Sequence, residues 1–76
     1  MSNNHFINKE SREELGYALW LLRREKRLNL ARLSHKINVP AQVLDDIERG
    51  RHFEFCAIHK LLKFYGKKMK IVLEDE

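Results

Sequence analysis

Leu28-Asn-Leu-Ala-Arg-Leu-Ser-His-Lys-Ile-Asn-Val-Pro-Ala-Gln-Val-Leu-Asp-Asp-Ile-Glu-Arg-Gly50-Arg51 decides the fold of this chain. Leu30, Leu33 and Ile37 recur at helical spacing, and Val43, Leu44 and Ile47 do so again after them. Between the two runs, Asn38 suits a left-handed turn position and Pro40 fixes the entry into the second run. Asn29 stands where a side-chain oxygen accepts from the first free N–H groups of a helix, with Leu28 placed to staple onto Leu33. Gly50 is a natural helix stop. The stretch therefore reads as two short amphipathic helices joined by a tight turn. In a small basic protein that layout sets one helix in the major groove of DNA.

Length and charge narrow the setting. A chain of 76 residues is one domain, and a domain this small buries only roughly 60% of its unfolded surface, so a dimer or a partner is expected. The net charge of +4 favours a polyanionic partner. Met1-Ser-Asn-Asn-His5 has no basic cluster before an apolar core, and no apolar run approaches the roughly 20 residues needed to cross a membrane. The single cysteine, Cys56, cannot form an internal disulfide, which fits a reducing cytosol. The expected location is the cytoplasm.

Working outward, residues 1–10 read as a flexible polar arm. Ser11 with Glu14 three residues on is a capping-box signature, so a helix is expected from there to about Lys26, with Leu15, Leu19 and Leu22 on one face. Another helix is expected from about Glu54 to Tyr65, ended by Gly66, with apolar positions Phe55, Ile58, Leu61, Leu62 and Tyr65. After it, Met69, Ile71 and Leu73 alternate with Lys70, Val72 and Glu74, a period of two that reads as a short strand. A lone strand needs a partner. The simplest is the same strand of a second copy about a two-fold axis, and the edge of another protein is the alternative. The fold expected is thus all-α, a bundle of four to five short helices with a short C-terminal β-strand. Its divisions are an arm (1–10), a helix-turn-helix domain (11–66) and a dimerisation strand with an acidic tail (67–76).

Leu15-Gly16, the run Arg23-Arg-Glu-Lys-Arg-Leu28, Leu33 with Ile37 and Val39, and Ile47-Glu-Arg-Gly-Arg51 carry a resemblance. Through them the span from Leu15 to Gly66 resembles the lambda-repressor-like, Cro-type (XRE family) helix-turn-helix domain. With Met69-Lys-Ile-Val-Leu73 directly after the last helix, the layout also resembles HipB-type antitoxins, which dimerise partly through such a strand and bind both operator DNA and a kinase toxin. The resemblance implies an ion pair between Arg23 and Glu48, and a phosphate met by the helix N-terminus at Asn29 and Leu30. It implies that Arg49 and Arg51 clamp the DNA backbone and that Ala41, Gln42, Val43 and Asp46 read bases, with Asp45 nearby. Gln42 can contact adenine, Ala41 or Val43 a thymine methyl, and Asp46 cytosine. Two positions depart from the family pattern. Leu30 stands where a glutamine is usual, and adjacent Asp45 and Asp46 bring negative charge to the reading helix.

The function implied is repression of its own operon as the antitoxin of a toxin–antitoxin pair. Its partners would be double-stranded operator DNA, a second copy and a toxin of kinase type. A protein-interaction module that keeps the fold without operator binding is the competing class. Tyr17, Trp20 and Leu21 share one face of the first helix. They either pack against His5, Phe6 and Ile7 of the arm or form an exposed patch that anchors the toxin. His52, Cys56 and His59 have a spacing that could present three zinc ligands on one helical face. Without a Cys-x-x-Cys pair, a buried free cysteine acting as a small hydrophobe is the expectation, and no metal. Asp45, Asp46 and Glu48 point different ways on a short helix, and nothing around Cys56 resembles a nucleophile with an oriented base. Neither an enzyme nor a cofactor is expected. Arg23-Arg24 and Lys67-Lys68 read as solvated helix ends.

Overall fold

Asn8, rather than Ser11, starts the first helix: its Oδ1 accepts from the Ser11 backbone N–H at 2.8 Å. The computed structural model describes residues 8–69, and in it α1 spans Lys9–Glu25, α2 Leu30–Ile37, α3 Ala41–Glu48 and α4 Phe55–Tyr65. The Ser11–Glu14 signature lost to the stronger asparagine cap three residues earlier, so the expected arm gives up Lys9 and Glu10 to the helix. Residues 1–7 lie outside the described residues. So do Ile71 and Leu73 of the expected strand, while Met69 is half-buried in no regular element. The architecture is all-α among the described residues, and no helix there is long and apolar enough to cross a membrane.

Each helix end has a specific cause. Past Lys26, Arg27 takes a left-handed φ of 57°. Its N–H donates to Arg24 O at 3.0 Å and the Leu28 N–H to Arg23 O at 3.2 Å, which is the Schellman pattern closed without glycine. Asn29 Oδ1 accepts from the Arg32 N–H at 2.8 Å to begin α2, and Asn38 ends it at φ 59°. Pro40 enters α3 with no side-chain cap, its carbonyl accepting from the Leu44 N–H at 3.2 Å. Gly50, at φ 75°, ends α3 through bonds from the Gly50 N–H to Ile47 O (3.0 Å) and the Arg51 N–H to Asp46 O (2.9 Å). The Glu54 carboxylate caps α4 on the Ala57 N–H, and Gly66 at φ 68° closes it.

The core is one cluster: Leu19 from α1, Leu33 from α2, Val39 from the turn, Leu44 and Ile47 from α3, and Ala57, Ile58, Leu61 and Tyr65 from α4. Leu15, Leu22, Leu28, Leu30, Ile37 and Val43 pack partly buried against it. Each fully buried leucine or isoleucine contributes on the order of 1.5–3 kcal/mol, so α3, with two of them, is fixed from below. One expected core position fails. Phe55 is 67% exposed, because as the first residue of α4 it projects past the edge of the cluster.

At the crossing of α1 and α3 the two helices approach closely through Gly16. A Cβ at Gly16 would land on the backbone carbonyls of Ile47 and Glu48, so only glycine lets these two helices touch backbone to backbone. Beside it, a Cβ at Gly50 would meet the Glu13 backbone, and the Arg12 Nε–H donates to Gly50 O at 3.2 Å. The end of α3 is thereby pressed against α1.

Candidate nucleic-acid interface

The pressed-together α1–α3 contact is locked by charge. Arg23 Nε donates to Glu48 Oε2 at 2.8 Å and Nη2 to Oε1 at 2.9 Å, while Nη1 reaches Leu28 O at 3.0 Å. The side chains retain only 15% and 6% exposure. Hydrogen bonding to Glu48 raises the Arg23 pKa above its ordinary value against the opposing effect of burial, so the guanidinium stays charged. The paired forks hold the C-terminal turn of α3 in one orientation relative to α1 and to the chain just before α2.

Above this lock lies the α3 surface. Gln42 is exposed, and Ala41, Val43, Asp45 and Asp46 are half-buried. The carboxylates are not bare. Arg49 Nε donates to both Asp45 oxygens at 3.1 Å. Arg51 Nη1 lies 3.8 Å from Asp46 Oδ1, which also accepts from Gln42 Nε2 at 3.1 Å. The two arginines expected to clamp phosphate are therefore each engaged by an acid of the reading helix, and the reading glutamine is held by one of those acids. The tethers are light: the arginines keep 58% and 64% exposure, and exposed pairs contribute about 0.2–1 kcal/mol. A phosphate offering a charge-assisted hydrogen bond competes on equal terms.

Next to α3, the N-terminus of α2 is solvent-facing at Ala31 and Arg32. Asn29 uses its side chain to cap the Arg32 N–H, so of the first turn it is the Leu30 and Ala31 N–H groups that lack an acceptor within the helix. Leu30 is half-buried. It lines a groove of about 430 Å³ with Tyr17, Trp20, Arg23, Asp45 and Arg49. Tyr17 and Trp20 stack with ring centroids 5.7 Å apart, and the Arg24 guanidinium sits 4.9 Å from the Trp20 ring centroid. This aromatic wall abuts the α3 surface directly.

The expected patch divides. Tyr17, 59% exposed, and half-buried Trp20 face this groove, whereas Leu21, 44% exposed, lies in a separate depression with Ala18, Leu22, Arg24 and Glu25. The arm residues His5, Phe6 and Ile7 lie outside the described residues. Cys56 is exposed, contrary to the expected buried hydrophobe, because it sits on the solvent side of the first turn of α4. His52 precedes that helix, and no group of three metal-ligating side chains comes together among the described residues.

Two features of the site escaped the sequence. Gly16 entered there only as part of the Leu15-Gly16 resemblance, and its role at the α1–α3 crossing needs the crossing itself. Tyr65 is buried beneath the Arg23–Glu48 pair with no hydrogen-bond partner for its hydroxyl among the described residues. Burial pushes its pKa up to about 12, with the Glu48 charge adding to the effect and Arg23 opposing it. No protein-family model, no curated protein and no solved structure matches the chain.

Proposed function

We propose that this chain is a sequence-specific DNA-binding repressor of the lambda-repressor-like helix-turn-helix type. In this reading it acts as a cytoplasmic homodimer and as the HipB-like antitoxin of a toxin–antitoxin operon. Half-sites about 34 Å apart would each take one α3. What supports the reading most is the surface made by α3 and the start of α2: exposed Gln42, the helix N-terminus after Asn29 with Ala31 and Arg32 exposed, and Arg49 and Arg51 at the far end. Arg49 and Arg51 set the register on phosphates, Gln42 reads adenine, and Asp46 accepts from cytosine once Arg51 turns to the backbone. Tyr17 and Trp20 give the toxin an aromatic anchor. A gel shift on the chain's own promoter tests this. The expected result is binding that falls steeply with salt and is abolished by Arg49→Ala with Arg51→Ala. Absence of binding at low salt contradicts it.

One observation favours a second reading, a protein-interaction module without operator binding. Arg49 and Asp45 line the same groove as Leu30, Tyr17 and Trp20, so the phosphate-facing end of the site is continuous with an aromatic-walled cleft. In that case Trp20→Ala abolishes a partner complex while no promoter duplex is retained by the intact chain.

A further inference from the structure

An apolar groove of about 430 Å³ runs along the outer face of α4, on the floor formed by Phe55, Ile58, Leu62 and Met69. Lys63, Lys67 and Lys68 rim it. Nothing in the repressor reading uses this face, yet it carries the most exposed large apolar side chain of the described residues, Phe55. The rest of the chain supplies complementary chemistry: residues 70–76 read Lys-Ile-Val-Leu-Glu-Asp-Glu, three apolar side chains followed by three acids.

We infer that the α4 groove receives the apolar–acidic segment 71–76 of a second copy, reciprocally in a two-fold dimer, with Glu74, Asp75 and Glu76 against Lys63, Lys67 and Lys68. The inference rests on the homodimer part of the reading above and gives it a surface.

Direction selects the second copy over the chain's own tail. Met69 lies at the lysine end of the groove, beside Leu62 and Lys63. A tail doubling back over its own α4 runs from there toward Phe55. At about 3.3 Å per residue, its acids arrive some 16 Å from Met69. That is about the length of the 11-residue helix, so they would face Glu54, the wrong charge, with the lysines left behind. When two copies of α4 lie antiparallel, the tail of one reaches the Phe55 end of the other and runs with that helix. Ile71, Val72 and Leu73 then cover the floor, and the acids end over the lysines. The two tails also run antiparallel to one another, which gives each alternating segment a strand partner.

Charge swapping in the full-length chain tests the arrangement, because the residues on both sides of the contact can be reversed independently. The two variants are Lys63→Glu, Lys67→Glu, Lys68→Glu, and Glu74→Lys, Asp75→Lys, Glu76→Lys. Circular dichroism checks that both keep the helix content, as the exposure of Lys63, Lys67 and Lys68 allows for the first. Sedimentation and native mass spectrometry read the assembly. The wild type is expected to be a dimer. Each variant alone should dimerise at least about tenfold more weakly, since several exposed attractive pairs become repulsive. An equimolar mixture should recover the dimer as a heterodimer, because both grooves then meet a tail of opposite charge. A wild-type dimer that both variants match in affinity overturns the groove contact and leaves the homodimer standing. Weakened variants that the mixture does not rescue also overturn it. A monomeric wild type overturns the contact and the homodimer together.

Discussion

Replacing both Asp45 and Asp46 by asparagine should tighten DNA binding. The acids hold Arg49 at 3.1 Å and Arg51 at 3.8 Å. On binding, both arginines must exchange a carboxylate for a phosphate. Each exposed pair contributes about 0.2–1 kcal/mol, so releasing two gains about 0.4–2 kcal/mol. Removing two negative charges also takes the chain from a net +4 to +6. Each of those charges, about 8 Å from a phosphate in a water-like dielectric, opposes binding by about 0.5 kcal/mol before screening. Together these give about 1.4–3 kcal/mol, roughly a 10- to 160-fold gain in affinity at low salt, with tenfold corresponding to about 1.4 kcal/mol. Fluorescence anisotropy with a labelled promoter duplex, titrated between about 50 and 200 mM NaCl, measures both the gain and the salt slope. Asparagine keeps the side-chain shape and leaves Gln42 a carbonyl to donate to. Unchanged or weaker binding of the double variant would refute the tethering. A loss confined to Asp46→Asn on the cognate duplex, absent on unrelated DNA, would show that the Asp46–cytosine contact outweighs the release of Arg51.

Gly16→Ala should lower unfolding stability by about 1–3 kcal/mol in urea titration, since the new methyl must displace the Ile47 and Glu48 carbonyls; wild-type stability would contradict the backbone contact. Glu48→Gln leaves the mostly buried Arg23 charge without its counter-ion and should cost about 3 kcal/mol, whereas Arg23→Met with Glu48→Leu should recover most of that loss in the same assay. Tyr65 titrates near 10 when unfolded and at about 12 when folded, so the folded state holds its proton more tightly. The group leaves stability unchanged below pH 10, and stability falls by roughly 2–3 kcal/mol as pH rises from there through about 12, because ionisation is penalised only in the folded state. Tyr65→Phe should remove that alkaline loss while keeping or improving neutral-pH stability, because the hydroxyl has no partner.

The parts of this fold that announce themselves in the sequence are those controlled by one residue's own backbone or cap chemistry. Asn29, Asn38, Gly50 and Gly66 act at the positions their residue types favour, and the apolar spacing of Leu33, Leu44, Ile47, Ile58 and Leu61 places the core. What stayed hidden depends on competition or on tertiary placement. Ser11 and Asn8 both offer a cap, and it is the Asn8 side chain that accepts from a backbone N–H, that of Ser11. Arg27 adopts a left-handed conformation with no glycine to signal it, because the Leu28 bond to the Arg23 carbonyl holds the turn closed. Phe55 follows the helical period of α4 and yet sits beyond the cluster's edge, which periodicity cannot register. At the candidate site, the neighbouring acids read as a repulsive face. The Asp45–Arg49 pair stands at helical i,i+4 spacing, whereas Arg51 returns to Asp46 only through the Gly50 turn that ends α3.

The most direct test of the central claim, that α3 and the start of α2 form a DNA surface, is a titration of the ¹⁵N-labelled full-length chain with a promoter duplex, followed by amide chemical shifts. The account predicts that the largest shifts fall on residues 29–32 and 41–51, while the solvent-facing amides of α4 stay near their free positions. Shifts absent at low salt, or confined to Tyr17, Trp20 and the α4 face, would contradict it.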